Sequence, residues 1–327
     1  MYKRCLITPE LRPHVKGYKV NKLIPQDNCL TNTSKNEYLS AATILIISSK
    51  EDGTASYFEN YIKDNDYPVE TLFIEDVLAI GEFIRNLQIS SNQDKYPSIY
   101  YRGGGSNCEK YNEVLDVMHD LLTFYPGTIV NRPSRLSLNL SKPLQMAAVA
   151  KKSDKNVKPI PTFLSNLHLH TLGFSSDKTI IKSASSIRSI VVNLSDRRLY
   201  KDMGDLACPV HLQPKIQGIN IRAHVCGDAV YAMHINAEED ILDYRYETKL
   251  CMRKEELPQN IAAWCIQAAR NEGLDFAGID LIYEKTTNSY WFLEVNPTPG
   301  YHFFEQYLVD SGENAVISEW LLQTLIS

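Results

Sequence analysis

The chain has 327 residues, of which 44% are apolar and 22% charged, a composition near the soluble globular average that excludes wholesale disorder, a collagen-like repeat or a coiled-coil rod. At roughly 100–200 residues per domain, this length corresponds to about two or three domains. The net charge of −5, from 34 basic and 39 acidic side chains, gives no overall attraction for nucleic acid, and no apolar run reaches the ~18–20 residues that cross a bilayer.

Residues 1–38 mix Pro, Asn, Lys and Thr without a period and read as an arm or extension. Order begins at AATILIISS (41–49), an apolar β-branched run of the buried-strand type. The polar EDGTAS leads into an amphipathic stretch from Tyr57 to Asp66 that predicts a helix. VETLFIED (69–76) predicts the next strand, residues 77–88 a helix, YPSIYYR (96–102) a third strand, and the segment after GGGSN a helix over about 108–124. Strands alternating with helices predict a parallel, doubly wound sheet that ends near Val130.

The pattern then changes. Residues 137–152 predict a helix, and NVKPIPTFLSN (156–166) a Pro-punctuated loop with a short strand. TIIKS, SIVVN, PVHLQ, INIRAHV and AVYAMHI, between 178 and 236, predict strands, with Gly227-Asp228 as a two-residue hairpin turn. A helix over about 258–272 leads into DFAGIDLIYE and SYWFLEV, and a helix over about 313–326 closes the sequence.

The strongest chemical signal is GIDLIYEKTTNSYWFLEVNP (278–297). If its strands pair antiparallel with Asp280 opposite Glu294, then Ile279 faces Val295, Leu281 faces Leu293 and Tyr283 faces Trp291. That register gathers six apolar side chains on one face and Asp280, Glu294 and Asn296 on the other, whereas a slip of one residue mixes the faces. Two carboxylates and an amide oxygen suit Mg²⁺, which takes hard oxygen ligands and shares them with phosphates. The same residues also suit an ordinary hairpin with its acids in water. Alternation further puts Arg222 and His224 on one face of INIRAHV, opposite Ile221, Ala223 and Val225. An arginine on an inner face needs neutralising, by a phosphate or by a structural carboxylate. Lys142 and Lys182 pose the same question, and SASS after Lys182 is a weak phosphate cradle.

His168 and His170 lack a third ligand nearby and read as structural or solvent-exposed. Seven scattered cysteines without a CxxC pair read as free thiols of a reducing cytoplasm, with Cys208, Cys226, Cys251 and Cys265 in the core. The N-terminus lacks the apolar stretch of a secretion signal. Tyr301, His302, Phe303 and Phe304 read as core packing or as a wall beside the candidate metal site. GxGxxG is absent, and the glycines after Arg102 read as a flexible turn.

Taken in order, YYR, NLSKPLQ, PTFLSN, TIIKS, LQPKIQGINIRAHVCGD, DYR, and FAGIDL with FLEVNP resemble the ATP-grasp ligases, in the branch of the ribosomal-protein glutamate ligase and the microviridin-type peptide maturases. The resemblance implies an α/β plus α+β chain: a Rossmann-like pre-ATP-grasp domain (39–132), a central ATP-grasp subdomain (133–207) and a C-terminal one (208–327). It implies Lys142 and Lys182 on ATP phosphates, and backbone readout of adenine across Gln213, Pro214, Lys215 and Ile216. Arg222 becomes the arginine facing the transferred phosphate, standing apart from any structural ion pair. Asp280, Glu294 and Asn296 become ligands of magnesium, expected as two ions. Asp243 and Arg245 match an element beside the acceptor carboxylate.

The departures are Ser183 and SASSIRS in place of a proline and a Gly-rich loop, Pro214 and Lys215 where an acid is common, and the triple glycine after Arg102. The implied activity is ATP-dependent carboxylate–amine or carboxylate–hydroxyl ligation through an acylphosphate. The expected substrate is a ribosomally made precursor peptide, in the cytoplasm, without nucleic acid or membrane, with a homodimer by analogy to the family. The alternatives are a small-molecule amino-acid ligase of the glutamate-ligase type, or a degenerate nucleotide-binding regulatory protein.

Overall fold

A computed structural model describes residues 43–88, 95–103, 111–133, 141–151, 156–165, 178–183, 191–193, 210–237 and 250–327. The first sheet is all parallel, in the order β2-β1-β3-β4, from β1 (Ile44–Ser48), β2 (Val69–Phe73), β3 (Ser98–Arg102) and β4 (Thr128–Val130). β1 is buried along its length, as its unbroken apolar run requires of a strand covered on both faces. Around it lie α1 (Gly53–Asp64), α2 (Val77–Gln88) and α3 (Asn112–Thr123). α1 begins four residues before the apolar periodicity does. Asp52 Oδ1 accepts from the Thr54 and Ala55 amides at 3.0 and 3.1 Å, so the polar EDGTAS segment forms the cap and first turn.

α4 (Lys142–Lys151) separates this sheet from two others. One runs β6-β9-β7-β8, built from β6 (Phe163–Ser165), β7 (Thr179–Ser183), β8 (Val191–Asn193) and β9 (Val210–Pro214). The larger runs β12-β11-β10-β13-β14-β5: β10 (Ile219–Cys226), β11 (Ala229–Ala237), β12 (Leu250–Glu255), β13 (Phe276–Glu284) and β14 (Ser289–Asn296), with β5 (Val157–Pro159) parallel to β14. Sheet membership therefore crosses sequence order, since β5 joins strands that come more than a hundred residues later. The Gly227-Asp228 turn joins β10 to β11, with Gly227 at φ +60°, a conformation that suits glycine. β12 is an edge strand with its charged side chains in water, so no apolar run marks it in the sequence.

Two cores lie on the large sheet. On one face Ile221, Ala223 and Val225 pack with Ile279, Leu281 and Phe292 beneath α5 (Gln259–Asn271). That helix buries Ile261, Cys265, Ala268 and Ala269, at helical spacing. On the other face Met233 and Phe276 join Ile44, Ile46 and Phe58, together with α6 (His302–Asp310) and α7 (Val316–Ile326). This core is shared between the first sheet and the large one. Asn131, at φ +54°, reinforces it by donating to the carbonyls of Phe276 and Pro297 and accepting from the Phe276 amide. Tyr301 and Phe304 are core residues, while Phe303 is exposed. Cys226 and Cys265 are free, buried thiols, and burial pushes Cys265 up to about 12. Among the described residues no helix is long and apolar enough to cross a membrane.

Candidate active site

β13 and β14 pair with Asp280 opposite Glu294 and Ile279 opposite Val295, the register that the apolar pattern predicts. Beyond Asp280 the register shifts, so that Leu281 lies opposite Phe292 and Tyr283 opposite Tyr290. Phe292 and Tyr290 thus hold the core places expected of Leu293 and Trp291. In a regular strand Phe292 and Glu294 would point the same way. The bulge at Leu293 lets one enter the core and the other the opposite face. The Trp291 indole instead donates to Glu284 at 3.0 Å.

β10 lies on the other side of β13, with Arg222 opposite Asp280. Arg222 Nε is 3.1 Å from Asp280 Oδ1, with the side chains only 11% and 12% exposed. This corrects the expectation that Arg222 stands apart from an ion pair. Alternation puts it on the carboxylate-bearing face, and a guanidinium so deeply enclosed takes the nearest counter-charge. Gly278 makes the approach possible, because a Cβ there would come within 2.7 Å of both Arg222 Nη1 and Pro299 Cβ.

Lys142 opens α4 and shares a buried face with Gln145 and Met146, three and four residues on. Its Nζ is 3.3 Å from Glu294 Oε2, with the two side chains 9% and 13% exposed. Gln145 fixes this approach. Its Oε1 accepts from the Val295 amide at 2.9 Å, and its Nε2 donates to the Val295 carbonyl at 3.1 Å and to Glu272 at 2.6 Å. One side chain therefore holds both backbone groups of the residue between Glu294 and Asn296. Asn296 Oδ1 accepts from the Thr298 amide at 2.9 Å.

Asp280, Glu294, Arg222 and Lys142 thus form one enclosed, charge-balanced cluster. Its oxygen donors, two carboxylates on paired strands and the Asn296 amide, fit a hard cation such as Mg²⁺. Each carboxylate already has a cation that such an ion could replace.

The β6-β9-β7-β8 sheet brings in the other predicted residues. Lys182 of β7 lies opposite His211 of β9 and is half-buried. Gln213 is buried and donates to Thr162 Oγ1 at 2.8 Å. Pro214 is exposed, Lys215 and Ile216 are half-buried, and the Lys215 amide donates to the Lys178 carbonyl at 2.8 Å. Asp243, Arg245, His168, His170 and Cys208 lie outside the described residues.

Behind Asn296, Arg102 holds the loop that follows it. Its guanidinium donates to Asp52 at 2.8 and 3.3 Å, to Tyr100 Oη at 3.0 Å and to the Pro299 carbonyl at 3.1 Å. His302 Nδ1 is 2.8 Å from Thr54 Oγ1. Gln145 and Gly278 carry no signal in the sequence, because their partners are distant along the chain, and the same holds for the bond of Asp52 to Arg102.

Two buried histidines titrate abnormally. Burial and then Arg222 push His224, which packs on Phe304 at 5.1 Å, down to about 3. Burial and then Lys142 and Lys182 push His211 down to about 4. Both folded values lie below the ordinary ~6.5, so the unfolded chain takes up protons first as pH falls. Stability is present in full above pH ~6.5 and falls below it by about 1.4 kcal/mol per pH unit for each histidine, levelling off below the folded values. Urea titrations at neutral and mildly acid pH should show His224→Phe flattening the acid slope. An unchanged slope would mean that His224 does not bear this cost.

Residues 208–318 match the RimK-like ATP-grasp domain family. Among solved structures, the chain is similar to the ATP-grasp ligase PsnB complexed with a minimal precursor. The TM-score is 0.67 and the identity 18%, over 88% of this chain and 99% of that one. It is similar to the macrocyclase MdnC from Microcystis aeruginosa MRC bound with precursor peptide MdnA, at TM-score 0.65 and 15% identity over 87% and 99% of the two chains. A D-alanine–D-alanine ligase from Bacillus anthracis gives 0.56 and 13% over 88% and 98%. No curated protein matches the sequence. The chain has the ATP-grasp fold.

Proposed function

We propose that this ATP-grasp chain is an ATP-dependent ligase that joins a carboxylate to an amine or hydroxyl through an acylphosphate, with a ribosomally made peptide as its substrate. The observation that carries the reading is the pairing of Asp280 with Glu294, each with a buried cation, Arg222 and Lys142, against it. That arrangement suits a highly charged ligand that arrives with its own metal. Lys142 and Lys182 would hold the nucleotide phosphates, the backbone from Gln213 to Ile216 would read adenine, and Asp280, Glu294 and Asn296 would hold two magnesium ions. Magnesium, when bound, neutralises phosphate charge.

A carboxylate attacking the γ-phosphate approaches like charge, so the chain's contribution is to place cations there and exclude water. Arg222 faces the phosphate undergoing transfer. The carboxylate oxygen would displace ADP from the γ-phosphate, and the amine or hydroxyl would then add to the acylphosphate carbonyl, give up its proton and expel phosphate. No enzyme nucleophile is needed, and the buried thiols Cys226 and Cys265, both with raised proton affinity, suit none. Asp243 and Arg245 are proposed beside the acceptor carboxylate. A peptide substrate is favoured because PsnB and MdnC are complexed with precursor peptides. The likeness to a D-alanine–D-alanine ligase supports a second reading, a small-molecule ligase. Cytoplasmic location, a homodimer and the lack of a nucleic-acid partner belong to the same proposal.

Mass spectrometry of acid-rich peptides incubated with the chain, ATP and Mg²⁺ tests it. Loss of one water per bond indicates intramolecular condensation, and condensation of free amino acids supplied in place of the peptide indicates the second reading. ATP turnover with no bond formed on either substrate class would favour a degenerate regulator. At the hinge, backbone readout tolerates side-chain change, so Lys215→Ala should weaken ATP binding only a few-fold, on the order of one lost surface contact. Complete loss of binding in the folded variant would place adenine elsewhere.

A further inference from the structure

His211 takes no part in the chemistry described so far, yet its position is unusual. It is 1% exposed, and its Nε2 has no hydrogen-bond partner among the described residues. Buried polar atoms are nearly always paired, and leaving one without a partner is costly. The imidazole lies on the same face of the β6-β9-β7-β8 sheet as Lys182, directly opposite it across the β7–β9 ladder. Lys142 lies near enough to act on it electrostatically.

Two residues along β9 on that face, ~7 Å away by strand geometry, Gln213 shows a second such atom. Its Nε2 is bonded to Thr162 while its buried Oε1 has no partner among the described residues. One strand face thus carries two buried polar atoms without a partner among the described residues. One lies at the end that leads into the hinge, the other beside the lysine pair.

We infer that His211 is a further nucleotide-binding residue, donating Nε2–H to a phosphate oxygen held between Lys142 and Lys182. The inference rests on the nucleotide reading above. A neutral imidazole adds a directional donor without adding a third positive charge beside two lysines. The depressed proton affinity of the ring fits this role, because it stays neutral through the physiological range. Gln213 Oε1 is the matching acceptor for the amino group of adenine at the other end of the row. The ligand then supplies a partner to each of the two atoms that have none among the described residues.

The test is titration of ATP, ADP and adenosine into the full chain and into His211→Leu and His211→Gln. His211→Leu should weaken ATP and ADP by ~10- to 100-fold, the scale of a hydrogen bond to a charged group, and leave adenosine nearly unchanged. His211→Gln, which keeps an N–H donor, should recover most of the loss. Unchanged ATP affinity in His211→Leu overturns the inference, and so does an equal loss for adenosine, which marks a packing role. A wild-type chain that binds none of the three sinks the nucleotide reading itself, and this inference with it. If His211→Leu does not fold, the ring nitrogen resonances of histidine-labelled wild type, assigned with His211→Gln, decide. ADP must shift Nε2 of His211, and binding without that shift overturns the inference.

Discussion

Asp280→Asn and Glu294→Gln each leave the chain folded and remove its magnesium-dependent ATP consumption, with turnover falling by ~10²-fold or more. Both substitutions keep the shape of the side chain and delete its charge. The core face of the hairpin, from Ile279 to Val295, is untouched by either. Stability nevertheless falls, because Arg222 in one variant and Lys142 in the other loses the counter-charge at 3.1 or 3.3 Å. A buried charge left without its counter-charge costs roughly 3–5 kcal/mol. A domain with a reserve of ~5–15 kcal/mol survives that loss. Chemical denaturation and phosphate release, measured on the same preparations, separate the two effects. A variant that unfolds outright, or one that folds and keeps its magnesium dependence, would make the carboxylates structural.

Arg222→Lys should lower turnover by ~10²-fold, the scale of one lost transition-state contact, with the fold retained. Lysine preserves the charge that Asp280 needs but has no planar fork to span a carboxylate and a phosphate together. A purely structural arginine would tolerate the exchange, since Lys can still neutralise Asp280. Steady-state kinetics decides between them, and near-normal turnover in Arg222→Lys would remove the arginine from the reaction.

The pairing of Asp280 with Glu294 was legible in the sequence because period-two alternation admits one register with a clean apolar face. The bulge was not, since Phe292 and Leu293 are both apolar and nothing local says which enters the core. Three-dimensional packing beneath α5 makes that choice. The ion pair of Arg222 was half legible. Alternation gave its face, but the identity of the opposing strand depends on the antiparallel pairing of β10 with β13, more than fifty residues apart. Gln145 and Asn131 act through backbone groups of distant strands and leave no pattern in their own neighbourhoods. The capped start of α1 could have been read from Asp52, whose side chain is of the capping type. His211 was hidden because a lone histidine on a strand signals nothing until Lys182 and Lys142 are placed beside it.

The most direct measurement is an experimental structure of the chain with Mg²⁺ and a non-hydrolysable ATP analogue. The account predicts metal bound by Asp280 and Glu294, phosphates on Lys142 and Lys182, and adenine against the backbone between Gln213 and Ile216. Nucleotide bound elsewhere, with the Arg222–Asp280 and Lys142–Glu294 pairs intact and no metal between the strands, would contradict it.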